Sequence, residues 1–115
     1  MAEQEDLERE LAALRAGYAA KLPERLAEIE RIWARVAGDG GHEIDLHTLR
    51  HRVHSLRGSG KVFGFAALSD VAHRLEERLV RMEQADVAAG EDERGPIQDL
   101  LVELRQAALP GGGQH

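Results

Sequence analysis

The residues best equipped for chemistry lie close together, between His47 and Lys61. This stretch holds three histidines, His47, His51 and His54, and four cations, Arg50, Arg52, Arg57 and Lys61, with no acid among them. A neutral imidazole is a nucleophile near pH 7 and also a metal ligand. The spacing i, i+4, i+7 places the three histidines on one stripe of a helix, where they could bind a transition metal. Against that, four nearby cations oppose a divalent ion, and no acid in the stretch supplies a fourth ligand. The same cations would draw an anionic ligand or an acidic partner surface to an exposed imidazole. A solvated face that is merely basic is the plain alternative.

The whole chain, 115 residues long, carries a formal charge of −6, from 15 Lys and Arg against 21 Asp and Glu. The His47–Lys61 stretch is +4 on its own, so the remainder carries −10. An acidic chain can therefore still present a basic docking face, while a general nucleic-acid-binding role loses ground. Two Phe, one Trp and one Tyr leave little for base stacking or a large cofactor pocket. With no cysteine there is no disulfide framework, no thiolate nucleophile and no Cys-based zinc or iron–sulfur site. Any chemistry falls to histidine, carboxylates and hydroxyls. A P-loop, an ATP-site motif and a recognisable carboxylate pair are all missing from the sequence, which argues against a standalone hydrolase or transferase. No apolar run approaches the roughly 20 residues that span a bilayer. The acidic start lacks the basic and apolar regions of a signal peptide, so a cytoplasmic location away from membranes is expected.

The elements that position these residues follow from apolar spacing. Leu7, Leu11, Leu14 and Tyr18 share one helix face, and Leu22-Pro23 should interrupt it. Leu22, Leu26, Ile29, Trp33 and Val36 form a second stripe, ended by a turn at Gly38–Gly41. The third is Leu46, Leu49, Val53, Leu56 and Gly60, with Asp45 as N-cap and Gly58, Gly60 and Gly64 loosening and ending it. Phe65, Leu68, Ala72, Leu75, Leu79 and Met82 form the fourth. A connection bracketed by Ala88-Ala89-Gly90 and Gly95-Pro96 leads to the last, Ile97, Leu101, Leu104 and Ala108. The expectation is an all-α, antiparallel up-down four-helix bundle with an additional N-terminal helix across one end, and with every stripe in the core. Residues 1–109 would form one domain and 110–115 a flexible Gly-rich tail or linker.

Within this frame His54 stands roughly 130° from the centre of the third stripe, facing away from the core. Gly58 lies one turn further at nearly the same azimuth, so no side chain there screens the imidazole. Glycine within a helix costs about 1 kcal/mol relative to alanine. Two of them, Gly58 and Gly60, ask for a reason beyond packing, unless they mark only a fraying helix end.

The run His54-Ser-Leu-Arg-Gly-Ser-Gly-Lys-Val-Phe-Gly64-Phe resembles the signature of histidine phosphotransfer (Hpt) domains, H-x-L/I-K/R-G followed by two small residues and a later F/L/V-G. Leu68, Leu75 and Glu76 fall where that pattern continues, and Leu14 to Leu26 resembles the family's opening helix. Gly60-x-x-Phe63-Gly64-Phe65 and His73-x-x-Glu76 are closest to the phosphotransfer domains of chemotaxis-type kinases. The resemblance implies a four-helix bundle that carries a phosphoryl group on His54 to or from a receiver aspartate. Arg57, where the family usually has Lys, would stabilise the phosphoryl charge. Glu76 would accept a hydrogen bond from His54 and hold the proton on Nδ1, with His73 a possible extension of that network; a surface Glu76 paired with Arg74 or Arg78 is the competing reading. Gly58 would clear room for the partner, with Lys61, Arg50 and His51 beside it in docking. Ser59 and Gly60 would let the next helix close in, and Gly64 would allow the tight turn. Implied partners are a response-regulator receiver domain and an upstream histidine kinase. Mg²⁺ would come from the partner, and the domain would be a monomeric carrier with no cofactor and no turnover of its own. The competing readings are a scaffold bundle that only binds proteins and the metal-binding His stripe.

Overall fold

Apolar residues three and four apart recur through the whole chain, and they resolve into four helices in a computed structural model. The structure describes residues 2–38, 43–84 and 87–109, the side chains of 87–92 excepted. The helices are α1 (Ala2–Ala37), α2 (Glu43–Val62), α3 (Ala66–Gln84) and α4 (Val87–Ala108). Among the described residues there is no strand, so the fold is all-α. Each helix packs on its two neighbours in a closed ring, α1 on α2, α2 on α3, α3 on α4 and α4 on α1. The core lies inside that ring. Leu22, Leu26, Ile29 and Trp33 of α1 meet Leu49, Val53 and Leu56 of α2, Leu68, Leu75 and Leu79 of α3, and Ile97, Leu101 and Leu104 of α4, all of them buried. Each such side chain contributes about 1.5–3 kcal/mol by leaving water.

Five expectations need correction. The N-terminal helix is not separate: α1 runs unbroken through Pro23. Proline in a helix interior removes one hydrogen bond and costs about 3 kcal/mol. Burial of Tyr18 and Leu22 before it and of Leu26 and Ile29 after it pins both flanking turns and outweighs that cost. The stripe ahead of it joins the core at Tyr18 alone, since Leu7, Leu11 and Leu14 are 55%, 43% and 57% exposed. At 1.5 Å per residue α1 is about 54 Å long and α2 about 30 Å, so the first half of α1 outruns its neighbours.

The expected connection before the last helix is also helical. Gly90, Gly95 and Pro96 lie within α4, and buried Ile97 anchors the turn after the proline. Gly58 and Gly60 are interior to α2, which runs to Val62 and is closed by the turn at Gly64. There Phe65 N–H donates to Gly60 C=O at 2.7 Å and Gly64 N–H to Lys61 C=O at 3.3 Å, a Schellman ending. Gly64 has φ +84°, the left-handed conformation that favours glycine. Finally, Asp45 is the third residue of α2 rather than its cap, and it sits 3.5 Å from Arg35. A carboxylate in a first turn is favourable against the exposed N–H groups there. Positions 39–41 of the expected turn and the 110–115 tail lie outside the described residues.

Three of the four aromatic residues close the α2–α3 end of the bundle. Tyr18 stacks on Phe63 with ring centroids 4.7 Å apart and tilts against Phe65 at 5.3 Å. Its hydroxyl shares a 2.8 Å hydrogen bond with Ser59, which ties α1 to the last turns of α2. Burial raises the Tyr18 phenol, an effect that the Ser59 bond and the Arg25 charge partly offset.

Candidate functional site

Val53 and Leu56 face the core, and that burial fixes the rotation of α2. His54, between them in sequence, is thereby turned outward, its side chain 60% exposed. α3 packs along α2 and brings Glu76 alongside. Leu75 is buried one residue earlier, so Glu76 stands at the edge of the α2–α3 seam with its side chain 12% exposed.

The geometry is close. His54 Nδ1 lies 2.7 Å from Glu76 Oε2, and Arg57 Nη1 donates to Glu76 Oε1 at 3.1 Å. One carboxylate is thus held at both oxygens by two residues a single turn apart on α2. Burial alone would raise the Glu76 carboxyl. The hydrogen bonds from His54 and Arg57, with the charges of both, win and hold it below the ordinary carboxylate value. An ionised carboxylate only accepts, so the proton of the His54–Glu76 bond sits on Nδ1. In the neutral imidazole, Nε2 then carries a lone pair.

Gly58 follows His54 by one turn and is exposed, and a Cβ placed there would meet nothing within 4 Å. Packing among the described residues therefore does not demand a glycine at 58. Gly60 differs: it is buried, and an added Cβ would rest against Phe65 O and Ser69 N at 3.5 Å and Leu68 Cδ2 at 3.6 Å, so α3 approaches to contact there. Ser69 Oγ donates to Arg57 C=O at 2.8 Å and joins the start of α3 to the turn that carries Arg57. Sequence reading did not find that bond. A serine near a helix start was the available signal, but its acceptor is twelve residues away in sequence.

The expected basic face is largely neutralised. Among the described residues, Arg50 meets Glu83 at 2.6 Å, Arg52 meets Glu28 at 3.1 Å, and Arg57 meets Glu76. Three of the stretch's four cations thus face carboxylates from other helices, and Lys61 and His51 are exposed beside them. Counting charge along the chain could not reveal acids supplied from α1 and α3. The histidines do not converge either. His47 Nδ1 is 3.3 Å from Arg50 Nη2, and among the described residues no three His, Asp or Glu side chains gather as metal ligands.

His73 does not extend the His54–Glu76 pair. Its Nε2 bonds Glu77 Oε1 at 2.9 Å, and its Nδ1 is buried without a partner among the described residues. Arg74 and Arg78, the alternative partners for Glu76, bond Asp70, Glu103 and Glu93 instead. Arg57, His73, Glu76, Val80 and Arg81 border a shallow open depression beside His54. Among the described residues nothing encloses a substrate there; the depression is an open surface. No helix among the described residues is long and apolar enough to cross a membrane.

No curated protein and no solved structure matches the chain. The family model described as Hpt domain matches residues 4–107, nearly its whole length. The chain belongs to the Hpt domain family, the phosphocarriers that perform histidine phosphotransfer in the phosphorelays of two-component signalling.

Proposed function

We propose that His54 is the phosphoacceptor, and that its Nε2 exchanges a phosphoryl group with an aspartate of a response-regulator receiver domain. The observation that carries this reading is the 2.7 Å bond between His54 Nδ1 and Glu76. It leaves Nε2 as the nucleophilic nitrogen on the exposed side of the ring. In the acceptance step the Nε2 lone pair forms the N–P bond while the P–O bond to the aspartate breaks. The aspartate oxygen departs with the electron pair, and Nδ1 keeps its proton. The ring becomes cationic, and the Glu76 carboxylate facing Nδ1–H offsets that charge. In the reverse step an aspartate oxygen attacks phosphorus, and Nε2 leaves as the neutral ring.

Arg57 keeps further N–H donors beyond the one given to Glu76, and those would meet phosphoryl oxygens in the exposed space above His54. Positioning and charge neutralisation carry most of phosphoryl transfer. A Mg²⁺ ion held by the receiver would add to the neutralisation, and this chain's residues would contribute the acceptor, its orientation and one cation. The open Gly58 position admits the receiver's backbone, with Lys61, His51 and Arg50 at the rim of the contact. The domain would work in the cytoplasm as a carrier without turnover, between an upstream histidine kinase and its receiver. An up-and-down antiparallel order of the four helices suits the short joints between them.

His54→Gln tests the assignment. Incubation with a phosphorylated receiver should put acid-labile phosphate on the native chain and none on the variant, with unchanged helical circular dichroism. Label retained on His47, His51 or His73 would remove His54 from the role.

A further inference from the structure

We propose that the first half of α1 pairs with the same segment of a second copy of this chain, the two helices running antiparallel. Residues 2–17 are exposed along their whole length. Leu7, Leu11 and Leu14 nevertheless keep 4- and 3-residue spacing, in line with Tyr18, Leu22 and Leu26, which are buried further along the same face. One helix thus has an apolar face over its full length, covered by the bundle over its second half alone. Scattered surface leucines are ordinary, but a line of three at this spacing is the seam of a two-stranded coil.

Charge selects the occupant. Residues 3–10 carry Glu3, Glu5, Asp6, Glu8 and Glu10 against Arg9 alone, whereas residues 15–25 carry Arg15, Lys21 and Arg25 against Glu24 alone. A helix lying on this seam must bring cations to the acidic end and carboxylates to the basic end. A second copy in reversed direction does both, and a parallel copy would set acid against acid. The leucine spacing admits a register with Leu11 of each copy beside Leu14 of the other. Glu8 of each then flanks Arg15 of the other on the same edge. Such a pair departs from the monomeric domain expected from sequence, and it rests on no assumption about His54.

Sedimentation velocity on the full chain tests the pairing. Between about 10 µM and about 1 mM the average mass should climb from 12.7 kDa toward twice that value, as mass action requires of a weak dimer. Leu11→Glu should hold the mass at 12.7 kDa throughout, and at the dilute end, where the native chain is monomeric, should leave the melting curve unchanged because the position is exposed in the single chain. Glu8→Arg and Arg15→Glu should each weaken association, and the two combined in one chain should restore it. A native chain that stays monomeric overturns the proposal. So does a Leu11→Glu chain that associates like the native one, or a double charge swap that fails to recover association.

Discussion

The His54 face of α2 and the first half of α1 are both solvent-facing helix surfaces, yet different forces govern them. Around His54 the orientation of each polar group is set from another helix. Val53 and Leu56 fix the rotation of α2, Glu76 reaches across from α3, and Ser69 ties the turn that carries Arg57. The exposed ring is therefore held by an interior that faces the other way. In the first half of α1 the leucines repeat with the same regularity, but no other described helix reaches them. Periodicity identifies an apolar face, while the lengths of neighbouring helices decide whether that face becomes core.

Truncating one leucine in each region puts this contrast to its hardest test. Leu56 lies beneath the His54 face and is 2% exposed. Leu56→Ala should destabilise the fold by about 2–5 kcal/mol, the cost of lost burial plus a residual cavity. Leu11→Ala, measured at a concentration low enough to keep the chain monomeric, should stay within about 0.5 kcal/mol of the native chain. Urea titrations at equal protein concentration check both. Comparable losses would mean that the first half of α1 is packed after all.

The next effect is kinetic. Glu76→Ala removes the acceptor of a charge-assisted bond of the kind that contributes about 1.5–3 kcal/mol. If most of that acts on the reacting ring, phosphoryl acceptance should slow roughly 10- to 100-fold, at about 1.4 kcal/mol per tenfold. Nitrogen-15 shifts of His54 should change from one tautomer to a mixture. An unaltered rate and tautomer would leave Glu76 a packing residue only.

Acidification probes the same pair more gently. Because the folded Glu76 carboxyl lies below its ordinary value of 4.5, the native state binds fewer protons there than the unfolded chain does. Its contribution to stability is therefore present above the ordinary value and lost as the pH falls through the lowered one. The stability gap between the native chain and Glu76→Gln should be full at pH 7 and close under acid, which chemical denaturation at the two pH values reads directly. A gap that is the same at both would remove the ionised carboxylate from the account. For Tyr18 the sign is opposite: its raised phenol supports the fold below pH about 10 and ceases to as the solution becomes more alkaline.

How much of this was legible in the sequence depends on how local each cause is. The core stripes from Leu22 onward, the outward turn of His54 and the Gly64 ending arise within one helix or one turn, and residue spacing carries them. Continuity through Pro23 and Pro96 was not legible. A proline's penalty is written in the sequence, whereas the burial that outweighs it comes from other helices. The neutralised basic stretch failed for the same reason: Glu28, Glu83 and Glu76 are remote along the chain and adjacent only after folding. The motif pointed to Glu76 as the partner of His54, while periodicity alone left it one boundary residue among several.

The smallest predicted change separates stability from docking at one residue. Gly58 lies inside α2, its added Cβ would touch nothing, and its φ is not in the left-handed region. Alanine is favoured over glycine within a helix by about 1 kcal/mol, partly because it restricts the unfolded chain. Gly58→Ala should therefore raise stability by up to about 1 kcal/mol. If the open position one turn beyond His54 admits a receiver, the same methyl group should slow transfer, and Gly58→Val should slow it further. Thermal melts and receiver-dependent labelling of the two variants check both halves. A chain made more stable and transferring at the native rate would show that the glycine is not kept for the partner's approach. Stability gained while transfer falls would identify a position whose local cost serves a contact outside the chain.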